Sequence, residues 1–366
     1  MGSGLPTIAV RDIAIQEREN DLVLATFGRG FYVLDNYSPL RELEYVLNQE
    51  NAFFTTKPGL LFRRANIGGI DYKGAQYYTA KNPKVGVTFE WNTSSSAAKV
   101  KHNRPEANEN LPHYPSLDQL REEDWEEKAY LLFEVTDSSG NAVARFTKGD
   151  SKGIQRYTWD GRMSSTSSIS TNGEPVTEAY GTSFVMPGTY YISMHRSTNG
   201  SLETLVDKHE FKVNHLYNYE GIDIAFNQGV DALNGRMNKV MAEFNELNEE
   251  LGQLRAGLRN TPGASMEDLS TARSLDVQLK EVEVLLKGDA TRSKREYETA
   301  PSAQDAVGLL AWGAFNHRGA PTGTMKQLKE DAEAMLADAE KALAEIDEAM
   351  DALEAKAVEQ GVPFWD

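Results

Sequence analysis

The sequence predicts a mixed β and α protein of several domains, with short strands up to about residue 219 and long helices after it. Three observations lead there. The chain has 366 residues, more than one domain of about 100 to 200 residues usually holds. Its formal charge of −17, from 38 Lys and Arg against 55 Asp and Glu, is uneven: net −4 up to residue 219 and −13 beyond it. The composition changes at the same place, from alternating runs punctuated by Gly, Pro, Asn and Ser to segments rich in Ala, Leu, Glu and Lys.

Composition excludes several classes. A polyanion is repelled by so acidic a chain, which argues against nucleic acid as a partner. With 40% hydrophobic and 25% charged residues the chain is foldable. The absence of Cys removes disulfides, thiolate nucleophiles and Cys metal sites. No stretch approaches the roughly 18 to 20 apolar residues of a membrane span. Met1-Gly2-Ser3-Gly4 lacks the basic and apolar regions of a signal peptide and reads as an artificial leader, so export needs a signal further upstream.

Residues 5 to 36 contain three strand-like runs, around Val10 to Ile15, Leu22 to Thr26 and Phe31 to Leu34. Their breaks fall at Glu19-Asn20-Asp21 and Gly28-Arg29-Gly30, which predicts a β-meander. Three short strands bury too little to stand alone. A connecting stretch, 37 to 59, is read as a linker. Residues 60 to 213 show the spaced strands of a β-sandwich: 86 to 91, 129 to 135, 142 to 146, 154 to 159, 188 to 194 and 209 to 213. Asp137-Ser138-Ser139-Gly140-Asn141 is a hairpin signal, and Pro187-Gly188 opens the next strand. Trp159 is expected in the core with Asp160 fixing the turn after it. The stretches 101 to 127 and 163 to 179 read as inserted surface loops.

Residues 220 to 366 carry heptads. Leu233, Met237, Val240, Phe244, Leu247, Leu251, Leu254 and Leu258 keep one apolar seam, ended by Thr261-Pro262-Gly263. A second helix from about Ser265 to Lys287 uses Ala272, Leu275, Leu279, Val282 and Leu286, and a shorter one is expected around 302 to 315. A last helix from about Thr322 to Gln360 reads through Ala332, Met335, Ala339 and Leu343, a 4-4 step that interrupts the heptad. The expectation is an antiparallel α-helical bundle with the 233 to 258 seam facing that of the last helix.

The run Leu5 to Asp35, with Thr26-Phe27-Gly28-Arg29-Gly30 ahead of a hydrophobic strand and Asp35, resembles the end of a bacterial β-propeller. The family is that of large secreted proteins with sialidase-type or sortilin-type (BNR-like) repeats, often labelled glycosyl hydrolase-like. Phe27 stands where that family has His. Trp159-Asp160-Gly161-Arg162 and Met186-Pro187-Gly188-Thr189-Tyr190 are similar to the immunoglobulin-like domain that follows the propeller, and Gly361-Val362-Pro363 to the family's helical tail. The resemblance implies a closing blade remnant (5 to 36), an Ig-like sandwich (60 to 213) and a helical tail of an exported, periplasmic or extracellular protein. Arg29, Asp35, Trp159, Asp160 and Gly188 are then structural, and the missing N-terminal propeller is the first partner.

Catalytic chemistry is not legible. The six histidines show no ligand spacing, Gly28-Arg29-Gly30 lacks the third glycine of a dinucleotide loop, and no Gly-x-Ser-x-Gly elbow occurs. No catalytic residue, cofactor or metal is expected. The helix carboxylates read as a solvated face. Tyr77, Tyr78 and Trp91 are candidates for a sugar-stacking platform, with core packing as the competing role. Two functions follow: a non-catalytic structural and interaction region, or a carbohydrate-binding accessory region of a glycoside-processing enzyme whose active site lies upstream. A third is an acidic bundle that docks another protein.

Overall fold

A computed structural model describes residues 5 to 62, 83 to 97, 115 to 164, 184 to 216, 223 to 316 and 320 to 363. The chain divides into two compact units, Met1–Gly161 with Val185–Tyr217, and Arg162–Phe184 with Asn218–Asp366. The fold is mixed α and β, with eight helices and three sheets among the described residues.

In the first unit the N-terminal meander forms as the alternation requires. Strands β1 (Val10–Gln16), β2 (Asp21–Thr26) and β3 (Phe31–Leu34) make an antiparallel sheet in that order. Asn20 and Gly28 take left-handed backbone at the two reversals. The stretch read as a linker is structured. It holds α1 (Ser38–Arg41), α2 (Leu43–Leu47) and β4 (Asn51–Phe53), and β5 (Gly59–Leu61) starts at its last residue.

All six strands expected between 86 and 213 form: β6 (Val87–Thr93), β7 (Tyr130–Thr136), β8 (Ala142–Gly149), β9 (Gly153–Trp159), β10 (Gly188–Thr198) and β11 (Ser201–His215). They build a five-stranded sheet, β5-β11-β10-β7-β8, and a three-stranded one, β4-β6-β9. The sheets share an aromatic core. Phe133 on β7 meets Trp91 on β6 at 4.8 Å and Phe53 on β4 at 6.2 Å between centroids, and Phe211 on β11 meets Phe89 edge-on at 4.9 Å. Trp159 is 4% exposed and also stands edge-on to Phe211. Gly86 has φ +115°, and a Cβ there would lie 1.9 Å from the Trp159 carbonyl, so no other residue fits against β9. β10 and β11 form a hairpin through Asn199 and Gly200, both left-handed, the pair such a two-residue turn selects. The loop expected over 101 to 127 contains a helix, α3 (Leu117–Asp124). Ser116 and Gln119 cap each other's backbone N–H there.

In the second unit α4 (Ile224–Asn260), α5 (Met266–Lys287), α7 (Ala303–Asn316) and α8 (Gly323–Glu359) share one core, and the short α6 (Ala290–Ser293) lies outside it with no buried residue. Asp223, Ser265 and Thr322 each accept from a backbone N–H of the turn they start, as sequence-level capping predicts. The eight seam residues of α4 are all buried. On α8 the seam corrects the sequence reading: Leu336 is buried and Met335 only half-buried. Ala332, Leu336, Ala339, Leu343, Ile346, Met350, Leu353 and Ala357 therefore keep an unbroken 4-3 alternation.

Contacts between the helices give their directions. Lys329 reaches the backbone at Gly229, Arg236 pairs with Glu340 at 2.9 Å, and Val362 packs at Gly257. Numbers rise together along both helices, so α4 and α8 are parallel. Arg255 pairs with Asp276 at 2.9 Å, and Lys287 covers the Phe244 ring, so α5 runs back along α4. α7 begins beside the end of α5, at Ser302 against Gly288, and ends with Gly313 against Met325. The connection from α5 to α7 thus leaves the chain direction unchanged. Two reversals, one after α4 and one before α8, therefore separate α4 from α8.

Candidate functional site

The β1-β2-β3 sheet departs furthest from ordinary burial. Register pairs Ile13 with Leu24 and Ile15 with Leu22, and β2 then pairs Leu22 with Leu34 and Leu24 with Tyr32. One face therefore carries Ile13, Ile15, Leu22, Leu24, Tyr32 and Leu34. The other carries Ala14, Val23, Ala25, Phe31 and Val33, with Asp12, Gln16 and Asp21 at its margins. Every residue of β1 is exposed. Ile13 is 60% exposed on the first face and Phe31 76% on the second. A sheet with one wet side alternates apolar and polar; this one is apolar on both.

The sheet is anchored at one end. Lys57 donates to the Glu19 carbonyl at 3.1 Å and pairs with its carboxylate, and that hydrogen bond holds the Glu19 carboxyl below its ordinary range. The Tyr37 N–H donates to the Asn20 carbonyl at 2.8 Å and the Asn36 N–H to Asp21 Oδ1 at 2.9 Å. At the other end Phe27 is exposed under the Arg11 guanidinium, 4.9 Å from the ring centroid. Arg29 is exposed in that hairpin loop, and Asp35 is exposed just after β3.

Of the candidate sugar-platform residues, only Trp91 is among the described residues. Tyr77 and Tyr78 lie outside the described residues. Trp91 is 1% exposed, packed on Phe133 and Phe53, and its ring is closed to a ligand. The physical reason is the period of two along β6: Val87, Phe89 and Trp91 all point inward. Asp160 is exposed after β9, and Gly188 opens β10.

One aromatic residue that the sequence reading did not single out is open to solvent. Trp125, 78% exposed, caps the C-terminal end of α3. With Glu122, Glu126, Glu127, Asn199 and Gly200 it lines a groove of about 630 Å³. Asn199 Oδ1 accepts from the Glu127 N–H at 2.9 Å, which ties this segment to the β10–β11 turn. The signal was a lone Trp inside Glu122-Glu123-Asp124-Trp125-Glu126-Glu127, a run with no apolar periodicity to bury it.

A third feature is buried. Arg196 on β10 lies 3.1 Å from the Asp150 carboxylate, whose side chain is 2% exposed, and donates to the Ser95 carbonyl at 2.6 Å. Asp150 also accepts from the Ala97 N–H at 2.6 Å. These contacts join the strand ends of both sheets, a structural role.

Among the described residues no group of three or more His, Asp or Glu side chains could hold a metal ion, and no helix is long and apolar enough to cross a membrane. No family model, no curated protein and no solved structure matches this chain.

Proposed function

We propose that this chain is a non-catalytic structural and interaction region of an exported β-propeller protein. In this reading β1-β2-β3 is the closing blade, the two-sheet region an Ig-like extension and the bundle a helical tail. The observation that carries it is the apolar character of both faces of the N-terminal sheet. A blade in a propeller is packed between two neighbours, so both its faces are interior. An isolated sheet, or one lying on a core, needs only one.

A photo-reactive residue placed at position 13 and, separately, at position 31 tests this in the native host. The expected result is cross-links from each position to a different β-strand repeat. Cross-links from one face only, or none, defeat the proposal. The purified chain is also expected to turn over no sialoside or other glycoside, because among the described residues no nucleophile, acid and base are brought together. Turnover that a point mutation within the chain abolishes would overturn that part.

Trp125 favours a second reading, a carbohydrate-binding accessory region. An exposed indole stacks on a sugar ring, and Glu122, Glu126 and Glu127 accept from its hydroxyls. Calorimetric titration of an oligosaccharide panel against the chain and its Trp125→Ala variant decides it, with heat lost in the variant as the supporting result.

A further inference from the structure

The groove beside Trp125 is more selective than an aromatic platform alone. Among the described residues its lining, Glu122, Trp125, Glu126, Glu127, Asn199 and Gly200, holds three carboxylates and no basic side chain. Trp125 also stands at the C-terminal end of α3, and a helix carries partial negative charge at that end. Side chains and backbone therefore both make the groove negative. The indole face adds a third attraction, because its quadrupole draws a cation to within about 6 Å of the ring centroid.

Charge complementarity excludes most sugars. A neutral ring laid on Trp125 takes water from the neighbouring carboxylates and returns only hydroxyl hydrogen bonds. A sugar acid brings a like charge. A protonated amine answers the carboxylates, the helix end and the indole at once. The volume, about 630 Å³, is in the range that holds a drug-sized ligand and is too large for a single lysine or arginine side chain to fill. Asn199 Oδ1 is committed to the Glu127 N–H at 2.9 Å, which leaves the Asn199 amide NH2 to donate to a hydroxyl or ring oxygen.

We propose that this groove binds an amino sugar, a saccharide with a free, protonated amine. One ring stacks on Trp125 and its ammonium lies among Glu122, Glu126 and Glu127. The inference rests on the carbohydrate reading of Trp125 and adds to it the charge of the ligand.

Calorimetric titration of the full chain tests it with three probes: an oligomer of glucosamine, the same oligomer N-acetylated, and an oligoarginine peptide. Slightly acidic, low-salt buffer keeps the sugar amines protonated. The glucosamine oligomer is expected to bind about tenfold more tightly than the acetylated one, the combined effect of an exposed cation–π contact and several exposed ion pairs. Added salt should shrink that ratio, because exposed charges are screened. Trp125→Ala should lose both sugars. Glu122 and Glu127 are exposed, so the double variant Glu122→Gln, Glu127→Gln should melt as the wild type does. It should bring the two sugar affinities together by weakening the glucosamine complex alone. A preference that survives both changes places the amine elsewhere and overturns the proposal. Equal affinity of the wild type for the two oligomers also overturns it, and leaves the carbohydrate reading standing. Binding of neither sugar removes both. A tighter complex with oligoarginine than with glucosamine overturns it in favour of a basic protein partner.

Discussion

Trp159 shows how a single side chain can be placed from the sequence and then given a magnitude. It is the last residue of β9, its ring stands edge-on to Phe211, and it is all but closed to solvent. Truncation to Ala removes a large ring from the aromatic core beside Phe211. We expect a loss of about 3 to 5 kcal/mol, read from urea denaturation. Arg196 tests a different physics. Replacing it with Met keeps most of the stem but leaves the Asp150 carboxylate buried beside the Ser95 carbonyl with no cation. The expected cost is again about 3 to 5 kcal/mol. Asp150→Asn in the same background should recover part of it, because the uncompensated charge is then gone.

On α8 two neighbouring residues separate the interrupted heptad from the continuous one. Leu336 is buried and Met335 half-buried, so Leu336→Ala should cost about 2 to 5 kcal/mol and Met335→Ala distinctly less. Equal costs would restore the interrupted pattern. Position 335 or 336 could each follow Ala332 on one helix face, and only the next step to Ala339 decides between them. The starts of α5 and α8 were legible because caps are local: Ser265 and Thr322 announce them in one residue each. The six strands between 86 and 213 were legible from alternation, and the same alternation, followed through Val87 and Phe89, turns Trp91 inward. β4 and β5 were not legible, since three residues cannot show a period. α3 was, through the capping box of Ser116 and Gln119, but acidic composition masked it. The parallel course of α4 and α8 also needs the connector 288 to 302 to leave the chain direction unchanged, and neither periodicity nor caps record that. The open faces of the N-terminal sheet could be suspected from three apolar strands with nothing beside them in sequence.

At the scale of the whole chain, the acidic excess of the bundle is expected to give stability a maximum below neutral pH. Burial pushes the Glu250 carboxyl up, and Glu246, Asp347, Asp351 and Glu249 add to the shift. Its folded pKa therefore lies above its unfolded one, and stability rises as pH falls through the folded value. Burial also works against the charge of Asp276, but Lys280, Arg255 and Arg273 outweigh it and hold that carboxyl below its ordinary range. The contribution of Asp276 is present above its unfolded value, near 3.9, and is lost as pH falls below it. The urea midpoint should climb from pH 7 to about 5 and drop below about 4; a monotonic fall from pH 7 counts against this. The parallel course of α4 and α8 has a mechanical consequence. A hairpin of helices returns the chain to the place it left, but here residue 224 lies at one end of the bundle and residue 359 at the other. Thirty-seven residues in each helix, at about 1.5 Å apiece, set them roughly 55 Å apart. The bundle is a strut: it carries the chain forward by its own length. Spin labels at Ala225 and Val358 should read that long separation, where a returning bundle would read contact.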